Sequence, residues 1–190
     1  MSPAPARLAA CFALGAILGT LLDGIHAYGD VLSYPHPAFG RWAWFVPLEF
    51  GLLGAAACLL VPLFEQRRAD PAPPSVPAAL GELALFTCLY LASALLDGHA
   101  APALAAGLGA LAAARLVLGR GGDLPYVLLA AVLGPAGEAI LSAAGAFSYT
   151  HPDLFGIPLW LPALWANAGF LIRRVITLLA SPGRRAAGHS

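Results

Sequence analysis

Six stretches of this 190-residue chain stay apolar for long enough to cross a bilayer, and little sequence lies between them. They fall at residues 8–28, 42–64, 78–97, 100–118, 124–146 and 157–180. A hydrocarbon core of ~30 Å takes about 20 apolar residues of helix, so the pattern predicts six transmembrane helices joined by short turns. One connection is longer. Glu65-Gln66-Arg67-Arg68 leads into a proline-rich stretch ending at Pro77, which reads as a solvated extended loop. The fourth stretch is short and rich in Ala and Gly, and Arg115 near its end is expected to snorkel to the interface.

The pattern also repeats. Ser33-Tyr34-Pro35-His36-Pro37 stands ten residues before Pro47, and Ser148-Tyr149-Thr150-His151-Pro152 stands ten residues before Pro162. The offset of 115 residues also superposes Gly19 on Gly134 and Asp23 on Glu138. Each corner sits between two apolar stretches, which predicts a duplicated helix–loop–helix unit. Helices 1–2 and 5–6 are then related as a parallel internal repeat. The prolines stop helices and fix chain direction. Trp42, Trp44 and Trp160, with the flanking Tyr34 and Tyr149, fit an interfacial aromatic belt.

Composition agrees with the pattern. Charged residues make up 11% and the mean hydropathy is +0.78, where soluble domains carry about a quarter charged residues. The expected fold class is an all-α integral membrane protein, a single six-helix domain over residues 1–190. A net charge of zero argues against a nucleic-acid partner. Cys11, Cys58 and Cys88 all lie in apolar stretches and are expected to be buried, inert thiols. The first apolar run ends in Asp-Gly-Ile-His rather than a small-residue cleavage site, so it is expected to be retained as a span.

Arginine placement sets the orientation. With the N-terminus inside, Arg7, Arg67, Arg68, Arg115, Arg120, Arg173, Arg174, Arg184 and Arg185 are cytoplasmic, and Arg41 alone is outside. That bias follows the positive-inside rule. It predicts two cytoplasmic termini and puts both corners on the outer face. There is no lysine in the chain, and the all-arginine, alanine-rich composition is that of a high-GC bacterium. The expected location is the bacterial inner membrane.

Acids inside spans are costly to expose to lipid, so each asks for a reason. Asp23 ends the first span, Glu49 lies about two turns into the second, Asp97 ends the third, and Glu138 is in the outer part of the fifth. Glu82 sits near the inner end of the third. The outer acids have only His26, His36, His99, His151 and Arg41 as cationic candidates. Three readings follow: protonated or histidine-bonded acids that hold the bundle together, acids lining a polar pocket that takes a lipid head group or hydroxyl, or acids that act directly in acid–base catalysis. His36 and His151 lack neighbouring Cys or carboxylate ligand patterns, which favours turn stabilisation over metal binding. Gly15 with Gly19, Gly51 with Gly54, and Gly107 with Gly109 are expected to let helices pack closely. No phosphate-cradling loop, nucleophile elbow or zinc pattern is present. Neither a catalytic residue nor a metal or cofactor site is expected.

Three short motifs carry a family resemblance. Gly145-Ala-Phe-Ser-Tyr-Thr-His-Pro-Asp153 running to Trp160-Leu161-Pro162, Ala92-Ser93-Ala94-Leu95-Leu96-Asp97, and Trp44-Phe45-Val46-Pro47 occur in the order and places of the insulin-induced gene (Insig) family, which the chain resembles along its length. The resemblance implies a polytopic lipid sensor without catalytic activity. Animal members bind oxysterols among their helices and hold sterol-sensing proteins in the endoplasmic reticulum. Their aspartate near the end of helix 4 is met here by Gly119 and Arg120, and their helix-5 glutamine by Ala139. A sterol-sensing protein partner is therefore not carried over. The expected ligand is a lipid, diacylglycerol or sterol-like, and the expected ligand-binding residues are Asp23, His26, Glu49, Ser93, Asp97, Glu138 and Trp160. A homo-oligomer is expected, with a trimer ahead of a dimer. The alternative is an enzyme. Val46-Pro47-Leu48-Glu49-Phe50 is similar to the Pro-Leu-Glu-Glu element of small duplicated carotenoid cyclases, which protonate isoprenoids with acids inside helices. Here Phe50 replaces the second acid and Leu164 replaces Glu49 in the second copy.

Overall fold

The computed structural model describes residues 4–65, 75–119 and 122–180. Residues 66–74 of the proline-rich loop, which include Arg67 and Arg68, lie outside the described residues, as do Arg120, Arg184 and Arg185. Among these residues six helices follow one another: α1 (Pro5–Tyr28), α2 (Val46–Glu65), α3 (Val76–Leu96), α4 (Ala101–Leu118), α5 (Leu124–Ala143) and α6 (Leu161–Ala180). Each is long and apolar enough to cross a membrane. All six carry proline at the first or second position, namely Pro5, Pro47, Pro77, Pro102, Pro125 and Pro162. There the missing N–H costs nothing and the fixed φ starts the turn. Ser75 adds a side-chain cap to α3, accepting from Ala78 N–H at 3.3 Å.

Two short strands complete the fold, β1 (Leu32–Ser33) and β2 (Ser148–Tyr149), paired antiparallel with Ser33 opposite Ser148. The two corners therefore bind each other, which neither corner's own residues indicate. The Ser33 and Ser148 hydroxyls lie 3.2 Å apart and are themselves 115 residues apart in sequence. The two halves correspond across this pair, and the same contacts recur on both sides of it at the same offset. Tyr34 donates to Asp23 and Tyr149 to Glu138. Ala38 N–H bonds Trp42 O and Asp153 N–H bonds Ile157 O. A Cβ added at Gly54 would stand 2.3 Å from Cys11 O, and one at Gly169 would stand 2.6 Å from Tyr126 O. Each half is thus a helix pair crossing at a glycine, where the backbones nearly touch.

Helix boundaries shift from expectation for a local reason. Trp42 pairs with Phe39 and Ile157 with Leu154 in small bridges, so α2 begins at Val46 and α6 at Leu161. Glu49 consequently lies in the first turn of α2, not two turns in. Gly145, at φ +76°, turns the chain out of α5 after Ala143. α6 is the central helix: more than half of it is buried, against under a third of each other span. It packs on all five other helices, whereas α3 and α4 have no counterpart in the repeat and lean on α6 from outside.

Four further expectations are corrected. Tyr34, Tyr149 and Trp160 are buried, Trp160 completely, so only Trp42 and Trp44 of the expected belt reach the surface. Cys88 is exposed, while Cys11 and Cys58 are buried as expected. A Cβ added at Gly107 or Gly109 would meet nothing within 4 Å, so among the described residues no helix approaches closely there. Arg115 does not snorkel. Its guanidinium bonds Glu82 and Asn167 and lies 3.7 Å from the centroid of the Phe170 ring.

Candidate functional site

An apolar cavity of about 120 Å³ runs between the first helix pair and the α3–α6 side of the bundle. Leu14, Gly15, Leu18, Gly19 and Leu22 of α1 and Phe50, Leu53, Gly54 and Ala57 of α2 form one wall. Phe86 and Tyr90 of α3 and Leu164, Trp165, Ala168, Leu171 and Ile172 of α6 form the other. The glycines keep the first wall low: a Cβ on Gly19 would collide with the Phe50 ring at 2.2 Å. A small polar pocket lies toward the corners, lined by Asp23, His26, Leu32, Tyr34, Glu49, Phe50, Tyr90, Glu138, Phe147 and Tyr149. Phe50 and Tyr90 line both spaces, so they form the junction.

Hydrogen bonds within the pocket are unevenly shared. The Tyr34 hydroxyl donates to both oxygens of Asp23 at 3.0 Å. Glu138 accepts from Tyr149 and also from Trp165 Nε1, two separate donors. Burial, reinforced by the neighbouring carboxylates, pushes the Tyr34 and Tyr149 phenols well above their ordinary range, which keeps both as donors. The Glu49 carboxyl accepts no hydrogen bond among the described residues. His26 stacks on Tyr90, with ring centroids 4.4 Å apart, and lies 2.8 Å from Ser93 Oγ. Ser93 gives its own proton to Tyr90 O, so the proton between the two side chains belongs to His26 Nε2.

Of the residues singled out by sequence, Asp23, His26, Glu49 and Glu138 meet in this pocket. Ser93, Asp97 and Trp160 line neither space. Ser93 stands behind His26 and is fully buried. Asp97, just past α3, accepts from Trp160 Nε1 and pairs with His151 Nδ1, each at 3.0 Å. That node ties the second corner to the end of α3. His151 is thereby a tether, in line with the turn-stabilising reading, and no three metal-ligating side chains converge among the described residues. Tyr90 and Phe50, which line both spaces, and Trp165, which lines the apolar cavity, are residues that sequence reasoning missed. Tyr34 and Tyr149 carry a signal in their constant spacing, each eleven residues after its acid, and they line the pocket rather than the interface.

A second polar cluster closes the end remote from the corners. Arg173 of α6, only 4% exposed, donates from Nε to Glu65 at 2.7 Å and from Nη1 to Asp123. Tyr126 donates to the same Glu65 at 2.6 Å.

Known proteins share both the sequence and the fold. Residues 79–187 match a family model described as a protein of unknown function, DUF2878. The chain is 34% identical over 167 residues to a protein described as an INSIG protein homolog from Mycolicibacterium vanbaalenii, covering 83% of this chain and 79% of that protein. The crystal structure of MvINS, a mycobacterial Insig homolog from Mycobacterium vanbaalenii, superposes with a TM-score of 0.76 at 26% identity, covering 96% of this chain and all of that one. A cross-linked trimer of an MvINS variant superposes with the same TM-score at 27% identity, covering 95% and 97% of the two chains.

Proposed function

The chain belongs to the Insig family of membrane proteins, and from that premise we propose that it binds a lipid between α1, α2, α3 and α6 and acts as a sensor or regulator rather than a catalyst. The junction at Phe50 and Tyr90 carries this reading. There an apolar slot gives way to a pocket of hydroxyls and carboxyls, the same division that an amphiphilic lipid has along its own length. A slot of about 120 Å³ is smaller than the ~300–1,000 Å³ of ordinary ligand pockets. A flexible acyl chain can thread it in part, while a rigid fused-ring sterol requires the helices to separate. Acyl lipids such as diacylglycerol are therefore the better candidates. Asp23, His26, Glu49 and Glu138 face the head group; Ser93, Asp97 and Trp160 hold the surrounding helices in place.

The protein works in the bacterial inner membrane as a homotrimer, a reading supported by the cross-linked trimer of the mycobacterial homologue. Its corners face outward. Among the described arginines, Arg115, Arg173 and Arg174 lie toward the opposite end of the bundle and Arg41 lies with the corners, which supports cytoplasmic termini. No sterol-sensing protein partner is invoked.

The test is purification in mild detergent followed by mass spectrometry of lipids that remain bound. A lipid in fixed proportion to protein is expected for the unaltered chain, with loss in Ala168→Phe, which fills the slot, and in Asp23→Ala, which alters the pocket. Circular dichroism checks that both variants stay folded. A bound lipid unaffected by either variant overturns the assignment of the site. Absence of any bound lipid, with conversion of an added isoprenoid, overturns it in favour of the cyclase-like alternative.

A further inference from the structure

The first helix pair is bonded to the rest of the bundle at its two ends. At the corner end β1 pairs with β2, Thr150 N–H donates to Val31 O at 2.8 Å, and His26 lies 2.8 Å from Ser93 Oγ. At the far end Glu65, the last residue of α2, accepts from Arg173 Nε at 2.7 Å and from the Tyr126 hydroxyl at 2.6 Å. Between these ends the facing walls are the apolar ones of the slot, and no hydrogen bond or ion pair among the described residues crosses it. The slot reaches the level of the far tie. Ile172, Val175 and Ile176 line it from the same turn of α6 that carries Arg173.

α1 and α2 move as one body. A Cβ on Gly54 would stand 2.3 Å from Cys11 O and 3.2 Å from Gly15 Cα, so the two backbones nearly touch. Widening the slot therefore shifts the pair together, away from α3 and α6. An occupant filling the ~300–1,000 Å³ of an ordinary ligand pocket requires that shift, because the slot holds about 120 Å³. Parting apolar walls costs little in a bilayer, where lipid tails are as apolar as the side chains they replace. The two ends set the cost. Backbone bonds cross at the corners, whereas side-chain bonds hold the far end.

Resting on the lipid-binding reading above, we infer that the Glu65–Arg173 pair is a latch. A lipid entering the slot swings the α1–α2 pair about the corner end, and Glu65 parts from Arg173 and Tyr126. Both charges have somewhere to go. Arg173 keeps Asp123 through Nη1, and Arg174 Nη2 stands 3.9 Å from the same carboxylate. Glu65, at the end of its helix, turns to solvent. The open state strands no buried charge, so it avoids the penalty of a pair that has lost one partner. Differential binding of a lipid can then choose between the two states. The linkage is reciprocal: a weaker latch gives tighter lipid binding, and bound lipid opens the latch. Occupancy of a site among the helices thereby becomes a change at the end remote from the corners.

The full-length protein in dodecyl maltoside is titrated with tritiated dipalmitoylglycerol. Glu65→Gln keeps the length of the side chain and removes its charge, and it is expected to bind about fivefold tighter, about 1 kcal/mol. Asp123→Asn loosens Arg173 from the start of α5 without touching α2, and is expected to bind no tighter than the unaltered chain. The motion is also read with Glu65 in place, independently of either variant. In a Cys88→Ser background, spin labels at Leu63→Cys and Leu128→Cys, both exposed positions, report the distance between α2 and α5 near the far end. That distance is expected to lengthen when dipalmitoylglycerol is added. Unchanged or weaker binding by Glu65→Gln, a gain shared by Asp123→Asn, or a label distance that the lipid leaves unaltered overturns the latch while lipid binding stands. Absence of saturable binding by every one of these forms overturns both.

Discussion

Replacing Arg173 by methionine tests how the end remote from the corners is held. One guanidinium joins three helices there: Glu65 is the last residue of α2, Asp123 precedes α5, and Arg173 belongs to α6. Methionine keeps most of the buried stem and removes the charge and the donors. Asp123, 4% exposed, then loses its closest counter-charge, and Glu65 loses one of its donors. Removing one partner of a buried ion pair costs about 3–5 kcal/mol, because the other charge stays buried. Arg174 Nη2, 3.9 Å from Asp123, can recover part of the loss. The expected destabilisation is thus about 3 kcal/mol, the lower end of that range.

The assay is reversible unfolding of the detergent-solubilised protein by dodecyl sulfate, followed by tryptophan fluorescence. The double variant Asp123→Asn with Arg173→Met separates charge from packing, since it removes the stranded carboxylate. It is expected to be more stable than Arg173→Met alone. A single-variant loss below about 1 kcal/mol, the range of surface ion pairs, refutes the reasoning. So does a double variant that is no more stable than the single one.

Three other consequences are open to direct measurement. The strand pairing places Ser33 opposite Ser148, at the Cα spacing of about 4.5–5.5 Å that suits a disulfide. In a Cys88→Ser background, Ser33→Cys with Ser148→Cys should form an internal bridge on oxidation, read as loss of two titratable thiols; two persistently free thiols count against the pairing. Gly54→Ala should destabilise by about 1–3 kcal/mol through overpacking against Cys11 O. Gly107→Ala, facing open space, should be neutral or stabilise by up to about 1 kcal/mol; the reverse order would show the helix crossing to be misassigned. Trp160→Phe removes a donor from the Asp97 carboxylate and should cost about 1.5–3 kcal/mol. The paired variant Trp160→Phe with Asp97→Leu should recover part of that cost, and failure to do so places the loss in packing instead.

Legibility in the sequence depends on whether a signal is local. Six apolar runs, each opened by a proline, define six helices with little error, because length and hydropathy alone decide a span. The duplicated corners are visible for the same reason. What the corners do is not visible, since antiparallel pairing across 115 residues leaves no mark at either site. Trp160 shows the limit most clearly. A tryptophan near a predicted helix start fits an interfacial belt, but its N–H has a buried acceptor in Asp97, which only the fold brings within reach. Arg115 misleads likewise, because its partner Glu82 lies 33 residues away on the neighbouring helix. The acids and the histidine that meet in the pocket are legible because charge in a membrane span is rare enough to stand out; Tyr90 and Phe50 are not, because aromatics there are common.

The repeat explains the scaffold, and its departures locate the site. Where the two halves agree, at the acid, the tyrosine and the glycine crossing, the contacts are internal to the chain. Two positions in the pocket are polar in the first half alone. Glu49 corresponds to Leu164, which is fully buried, and His26 corresponds to Leu141. Phe50 corresponds to Trp165, whose indole supplies the second donor to Glu138. Asp23 has no such donor, since a phenyl ring cannot give one. At these positions the first half has one indole donor fewer and one carboxyl more than the second. A reciprocal exchange should therefore close the site: Phe50→Trp with Glu49→Leu copies the second half onto the first. If the proposed lipid site is correct, that variant is expected to fold and to retain less co-purifying lipid, while lipid retention equal to that of the unaltered chain would show that the asymmetry is incidental.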